Sequence, residues 1–388
     1  MRRLRTASTR RLLTIVAVLV AAVTGAGIAQ AALTTGEKPA PKPLDRALFD
    51  AANAKPVEGV TARIKFSNNL LPSGSLPQGT ASPVLTGATG RLWLSDDGKL
   101  RLELQSENGD AQIVADGKRY LIYDAATKTA ITGKLHTADK TPQTQKQPGL
   151  SGIQAALDQL GQAWTFSGAQ PSNTAGQPSY TVRIAPKDDG GLLGAAELAW
   201  DAARGVPLRA AIYAQGDANP VLELEATDVS YGEIPAAKVS TTPPAGARVT
   251  EIDPALRMDA QGKPTAVEGV EAVQRELDFP LAAPAELAGL PRRAVRLIKS
   301  GDQTGAISTY GQGLGQILVF QSKAQPGKNS ALAPGGLTLP QVNIDGATGS
   351  ELATALGTLL TFTREGVQYI VLGSVPPIAA ENAARDLK

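Results

Sequence analysis

The residue types that could do chemistry are few. The chain has 388 residues, no cysteine and one histidine. Without cysteine there is no disulfide, thiolate nucleophile, Cys-ligated metal, haem thioether link or lipid-modified N-terminal cysteine. The single histidine, His136, sits in a polar run from Gly133 to Lys140 that reads as a solvated loop. A Ser-His-Asp triad would have to use it, and nothing near it supports one. The sequence has no Gly-x-Ser-x-Gly elbow and no His-Glu-x-x-His zinc motif.

Paired carboxylates are the remaining catalytic route. Glu103 with Glu107, and Glu223 with Glu225, alternate with apolar residues, which puts them on the wet face of strands. Asp96-Asp97 and Asp188-Asp189 read as turns without an EF-hand pattern. Tyr310-Gly311-Gln312-Gly313 lacks the Lys and Ser/Thr of a phosphate-binding loop, so its glycines read as turn residues. The expectation is a protein that is not an enzyme and takes no metal or cofactor.

The elements that would position a binding surface are legible. Gly59 to Ser67 alternates, with Val60, Ala62, Ile64 and Phe66 on one face and Thr61, Arg63 and Lys65 on the other. Thr89–Ser95 and Lys99–Gln105 flank Asp97-Gly98, and Asp110–Val114 and Lys118–Asp124 flank Asp116-Gly117, which are hairpin signals. Lys128–Thr132, Ser179–Ala185, Ala195–Asp201, Val206–Ala214 and Val221–Val229 continue the series to roughly ten or eleven antiparallel strands. One-sided alternation implies one wet and one dry face, and the dry face needs cover. Helical spacing at 44–54 and 152–164 can supply it, the second helix packing into the concave side with the first. Trp93, Trp164 and Trp200 serve as core or as cavity lining.

A second, smaller α+β unit follows at 245–388. It has a helix over 267–277, strands over 292–299, 306–311, 316–321, 358–364 and 366–372, and a last helix from Pro376 to Leu387.

The amino terminus is built for export. Five arginines lie in the first eleven residues, and Leu12 to Leu33 then runs without a charge. Ala29-Gln30-Ala31 fits a signal peptidase site, so 1–31 reads as a signal peptide; the rival is an uncleaved anchor, since 22 residues at 1.5 Å each reach about 33 Å. Both readings place the folded part outside the cytoplasm, secreted or held at the outer face of the cytoplasmic membrane. Residues 32–43 form a tether. Without those five arginines, 33 basic side chains stand against 36 acidic ones, so the mature chain gives no reason to expect nucleic-acid binding.

The run from Leu198 to Arg209, with Trp200-Asp201 and Gly205-Val206-Pro207-Leu208, resembles the strand–turn–strand of LolA-like lipoprotein carriers and the related RseB-type regulators, including the amino-terminal domain of MucB/RseB proteins. So do Ala226 to Pro235, Thr242 to Gly246, Val60 to Phe66 and Gly90 to Leu104. The resemblance implies a mainly β fold over 44–240: an incomplete antiparallel β-barrel covered by helices, here joined to the smaller α+β unit. It implies that a lipid or acylated protein binds in an apolar cavity. The alternative it implies is an envelope-stress regulator contacting an anti-sigma factor or other membrane protein. By strand parity the cavity candidates are Ile64, Phe66, Leu92, Leu102, Leu104, Tyr120, Ile122, Leu157, Leu160, Val182, Leu208 and Leu222.

Overall fold

A computed structural model describes residues 37–71, 82–107, 109–135, 149–187, 191–252, 267–300, 303–324 and 339–387. The signal segment, His136 and Asp188-Asp189 lie outside the described residues. Among the described residues no helix is long and apolar enough to cross a membrane.

The first sheet has 13 strands. In chain order they are β1 (Gly59–Asn68), β2 (Ala88–Ser95), β3 (Leu100–Ser106), β4 (Gly109–Ala115), β5 (Arg119–Asp124), β6 (Thr129–Lys134), β7 (Trp164–Phe166), β8 (Gln170–Thr174), β9 (Gln177–Pro186), β10 (Leu193–Asp201), β11 (Pro207–Ala214), β12 (Leu222–Tyr231) and β13 (Arg248–Ile252). Their order is β13-β6-β5-β4-β3-β2-β1-β12-β11-β10-β9-β7, with β8 also on β9. The sheet curls without closing, and every pairing is antiparallel except that of β13 with β6. It is therefore a half-barrel. Gly98 and Gly117 close their hairpins at positive φ, as the Asp-Gly steps require.

Three helices accompany this sheet: α1 (Leu44–Ala52), α2 (Pro83–Thr86) and α3 (Leu150–Leu160). Leu44, Ala47, Leu48 and Ala51 of α1 pack on Tyr180, Val182 and Trp200 of β9 and β10. α3 differs from the expected 152–164: it ends at Leu160, and Trp164 starts β7. It lies principally on α1, tied there by Gln154 donating to Asp45 at 2.7 Å, rather than in the concave side. Its Ala156 is exposed, which is why its apolar stripe is too narrow to bind both a helix and a sheet.

The second sheet has eight antiparallel strands: β14 (Glu286–Leu287), β15 (Leu290–Ser300), β16 (Gln303–Tyr310), β17 (Ile317–Lys323), β18 (Gln341–Ile344), β19 (Ala347–Thr354), β20 (Gly357–Arg364) and β21 (Val367–Gly373). Val273 of helix α4 (Val270–Glu276) packs with Val295 and Ala306. Ala380, Ala383 and Ala384 of helix α5 (Pro377–Asp386) pack with Leu360, Phe362 and Val371. Small residues there let α5 approach the sheet closely. The two sheets meet where Leu192 N–H donates to the Ser374 carbonyl at 3.2 Å and Ala355 N–H to the Leu70 carbonyl at 2.8 Å.

β13 lies past residue 245, yet it belongs to the first sheet. The chain reaches it by a strap, residues 234–247, across the convex face. Ile234 and Val239 cover Trp93, and Ala247 covers Val114, Leu121 and Ala130. Trp93 is thus a packing residue on the face away from the concavity.

Candidate binding face

The concave face follows directly from strand register. Ala62 of β1 pairs with Leu92 of β2, Leu92 with Leu102 of β3, Leu102 with Ile113 of β4, Ile113 with Ile122 of β5, and Ile122 with Ile131 of β6. Directly opposed residues share a face, so Leu92 to Ile131 form one row across five strands, about 19 Å long at the usual strand spacing. No side chain in the row is titratable.

Burial falls along the row. Ala62 is buried, Leu92, Leu102 and Ile113 are half-buried, and Ile122 and Ile131 are 39% and 37% exposed. At the closed end Val60, Ala62, Ile64, Leu104, Ala111, Val206, Leu208 and Ala226 pack on one another, each 6% exposed or less. Val84 of α2 packs on this cluster, and Asn68 Nδ2 ties α2 down by donating to the Val84 carbonyl at 2.8 Å. The half-barrel is therefore filled with its own side chains near β1 and β12 and as far as Ala111 of β4, and bare at Ile122 of β5 and Ile131 of β6.

The structure brings six of the twelve parity candidates together. Ile64, Leu104 and Leu208 are buried in that cluster, with Phe66, Leu92 and Leu102 packed against it. Tyr120 and Ile122 lie on the same face at the open end. Leu222 is half-buried on β12. Val182 belongs to the separate cluster under α1, and Leu157 and Leu160 are half-buried on α3. Ile113 and Ile131 were not among the candidates. Ile113 is followed by Val114, so parity alone leaves open which of the two faces inward; Ala111 and Ile113 share the face of Leu102 and Leu104, which decides it.

One carboxylate, Asp124, shares the concave face beside Ile122, opposite Ala111, while the paired arginines and glutamates lie on the other side. Across β9 to β12 the convex face carries a ladder of alternating charge: Arg183 to Glu197 at 2.9 Å, Glu197 to Arg209 at 2.9 Å, and Arg209 to Glu223 at 2.7 Å. Tyr213 donates to Glu197 at 2.8 Å. Burial works against ionising Glu197, but hydrogen bonds from Arg209, Tyr213 and Arg183 outweigh it and hold the carboxyl below the usual range. Glu103 is likewise paired, with Arg101 at 2.5 Å. These carboxylates are neutralised by arginines outside any concavity. Among the described residues no group of three or more His, Cys, Asp or Glu could hold a metal ion.

No protein-family model matches the sequence, and no curated protein is significantly similar to it. Solved structures do resemble it. A complex of Pseudomonas aeruginosa MucA and MucB matches with a TM-score of 0.42 and 17% identity, over 88% of this chain and 94% of that one. MucB in complex with MucA(peri) matches with a TM-score of 0.38 and 16% identity, over 85% and 93%. A putative outer membrane lipoprotein-sorting protein domain from Vibrio parahaemolyticus matches with a TM-score of 0.22 and 11% identity, over 49% and 92%.

Proposed function

We propose that the chain is an extracytoplasmic binding protein of the regulatory kind, which holds a membrane protein of the anti-sigma-factor type on the bare concave row of its half-barrel. The uncharged segment behind five arginines supports the location. The observation that carries the partner reading is how the concavity is filled. Acyl chains gain about 0.8 kcal/mol per methylene only where they are enclosed and dry. Here the enclosed end is occupied by Ile64, Leu104, Leu208 and Ala226. What remains is an open apolar face at Ile122 and Ile131 on β5 and β6, which suits the side chains of a protein segment.

The second reading is a lipid or acylated protein lying along the same row. The five side chains of that row, Leu92, Leu102, Ile113, Ile122 and Ile131, are all uncharged, which favours it. Native mass spectrometry of the full chain, purified from its own membrane fraction, separates the two. We expect a lipid-free complex with a membrane protein, lost in Ile122→Glu/Ile131→Glu. A lipid mass increment with no protein partner would return the acyl-chain reading.

A further inference from the structure

The bare row ends on a strand that does not continue it. Opposite Ile131, β13 sets Thr250. Its pairing with β6 is the one parallel pairing among the described strands, a slightly weaker arrangement per residue. Its side chains from Arg248 to Glu251 are all exposed, Val249 by 52%. None of these four is buried in a core. They are held by backbone pairing and by two contacts: Arg119 Nη2 to Glu251 Oε1 at 3.0 Å, and Arg248 Nη2 donating to the Thr127 carbonyl at 3.1 Å. The Arg119–Glu251 pair is half exposed, and such pairs contribute little because solvent screens them. β6 itself is anchored differently, with Ala130 and Thr132 buried. The fastening therefore weakens sharply between β6 and β13.

We propose that β13 is a displaceable edge strand, and that the edge of β6 beneath it takes an extended segment of a partner protein that sets an apolar side chain opposite Ile131 in place of Thr250. Strand addition supplies affinity through main-chain hydrogen bonds and specificity through alternate side chains. An apolar residue at that position lengthens the row from Leu92 to Ile131 by one strand and covers the exposed flank of Ile131. This inference rests on the reading of the half-barrel as a protein-binding surface, and it states the partner's conformation and its point of entry.

The test uses the full chain, whose lack of cysteine makes engineered ones unambiguous. Thr132→Cys/Glu251→Cys, at directly opposed positions of β6 and β13, forms a lock on oxidation. Thr250→Pro releases the strand. Arg248 N–H donates to the Lys128 carbonyl at 2.8 Å, and the parallel ladder next uses the N–H of residue 250, which proline lacks. The probe is a fluorescein-labelled octapeptide alternating isoleucine and serine with a lysine at each end.

By hydrogen exchange, the amides of residues 248–252 in the unmodified chain should exchange at least about 100-fold faster than those of β5. By anisotropy, Thr250→Pro should bind the octapeptide about tenfold more tightly than the unmodified chain. The oxidised lock should not bind it, and reduction should restore binding. Exchange at 248–252 as slow as in β5, equal binding by all three forms, or no binding by a folded Thr250→Pro would overturn the proposal. The exchange measurement decides even where a variant does not fold. Such a result leaves the membrane-protein complex and its loss in Ile122→Glu/Ile131→Glu standing, so the edge strand and the partner reading fail separately.

Discussion

Ile122 and Ile131 stand directly opposite each other across β5 and β6 on the concave side of the half-barrel, and each keeps more than a third of its surface exposed. On the other face of the same two strands, Leu121 and Ala130 are 1% exposed beneath the strap. These strands thus bury their convex side and leave apolar groups bare on the side that the curl begins to enclose. A pair of bare isoleucines in an uncharged row contributes little to folding, and that separates stability from binding.

Ile122→Glu should cost about 0.5 kcal/mol or less, as surface substitutions do, while Leu121→Ala, one residue away, should cost about 2–5 kcal/mol. Urea denaturation of the two variants measures the difference. Equal destabilisation would mean that the concave row is part of the core.

The charge ladder makes a second prediction. Arg209 bridges Glu197 and Glu223, and all three side chains are less than one-fifth exposed. Arg209→Met leaves two partly buried carboxylates without their shared partner and should cost about 3 kcal/mol at pH 7. Glu197 ionises more readily in the folded state than when unfolded. Its contribution is therefore present above the ordinary glutamate pKa and is lost as pH falls through the folded value. Unfolding followed from pH 7 to pH 3 should show a smaller loss of stability in Arg209→Met than in the unmodified chain.

Glu351 behaves in the opposite sense. It is 8% exposed on β19, and its Oε2 has no hydrogen-bond partner. Burial, and then the charge of Glu381, push its carboxyl up. Stability is then fully present below the ordinary glutamate pKa and declines as pH rises through the folded value. Glu351→Gln should raise the thermal midpoint at pH 7 and leave it unchanged at pH 4. A lower midpoint at pH 7 would show that the carboxylate has a partner.

Two glycines at positive φ should differ. Gly98 closes the β2–β3 hairpin with open space around it, and Gly98→Ala should cost about 1–2 kcal/mol from backbone conformation alone. Gly205 closes the β10–β11 turn beneath α1, and an added Cβ would stand 2.5 Å from the Ala51 carbonyl oxygen. Gly205→Ala should cost roughly 3 kcal/mol or more, because it also drives α1 off β10. Calorimetry of the two variants checks the order.

Much of this architecture was legible because alternation and Asp-Gly turns both report on strands. Gly59 to Asp124 shows each in turn, and β1 to β5 fall where those signals lie. The missed strands lack one signal or the other. β8, Gln-Pro-Ser-Asn-Thr, is polar apart from Pro171 and is held by hydroxyls, Ser172 lying 2.8 Å from Thr181. β13 buries none of the side chains from Arg248 to Glu251, so no periodicity marks it. β18 and β19 did carry a sign, since Asp345-Gly346 between Ile344 and Ala347 is a hairpin step like the others. The strap was opaque for a different reason. Its anchors Ile234, Val239 and Ala247 are spaced irregularly, as suits a chain in no regular element, and only their partners Trp93, Val114 and Leu121 explain them. The face to which α3 binds was equally hidden, because Ile153 and Leu157 fit a helix neighbour as well as a sheet.

Photo-crosslinking from position 122 in living cells identifies what lies against the concave row. With a benzophenone amino acid in place of Ile122, a cross-link to one membrane protein should form, at a yield that falls when Ile131→Glu is added. The same group at Lys65, on the convex face of β1, should give none. Cross-linking to lipid alone, or equal capture from both positions, would contradict the binding of a membrane protein there.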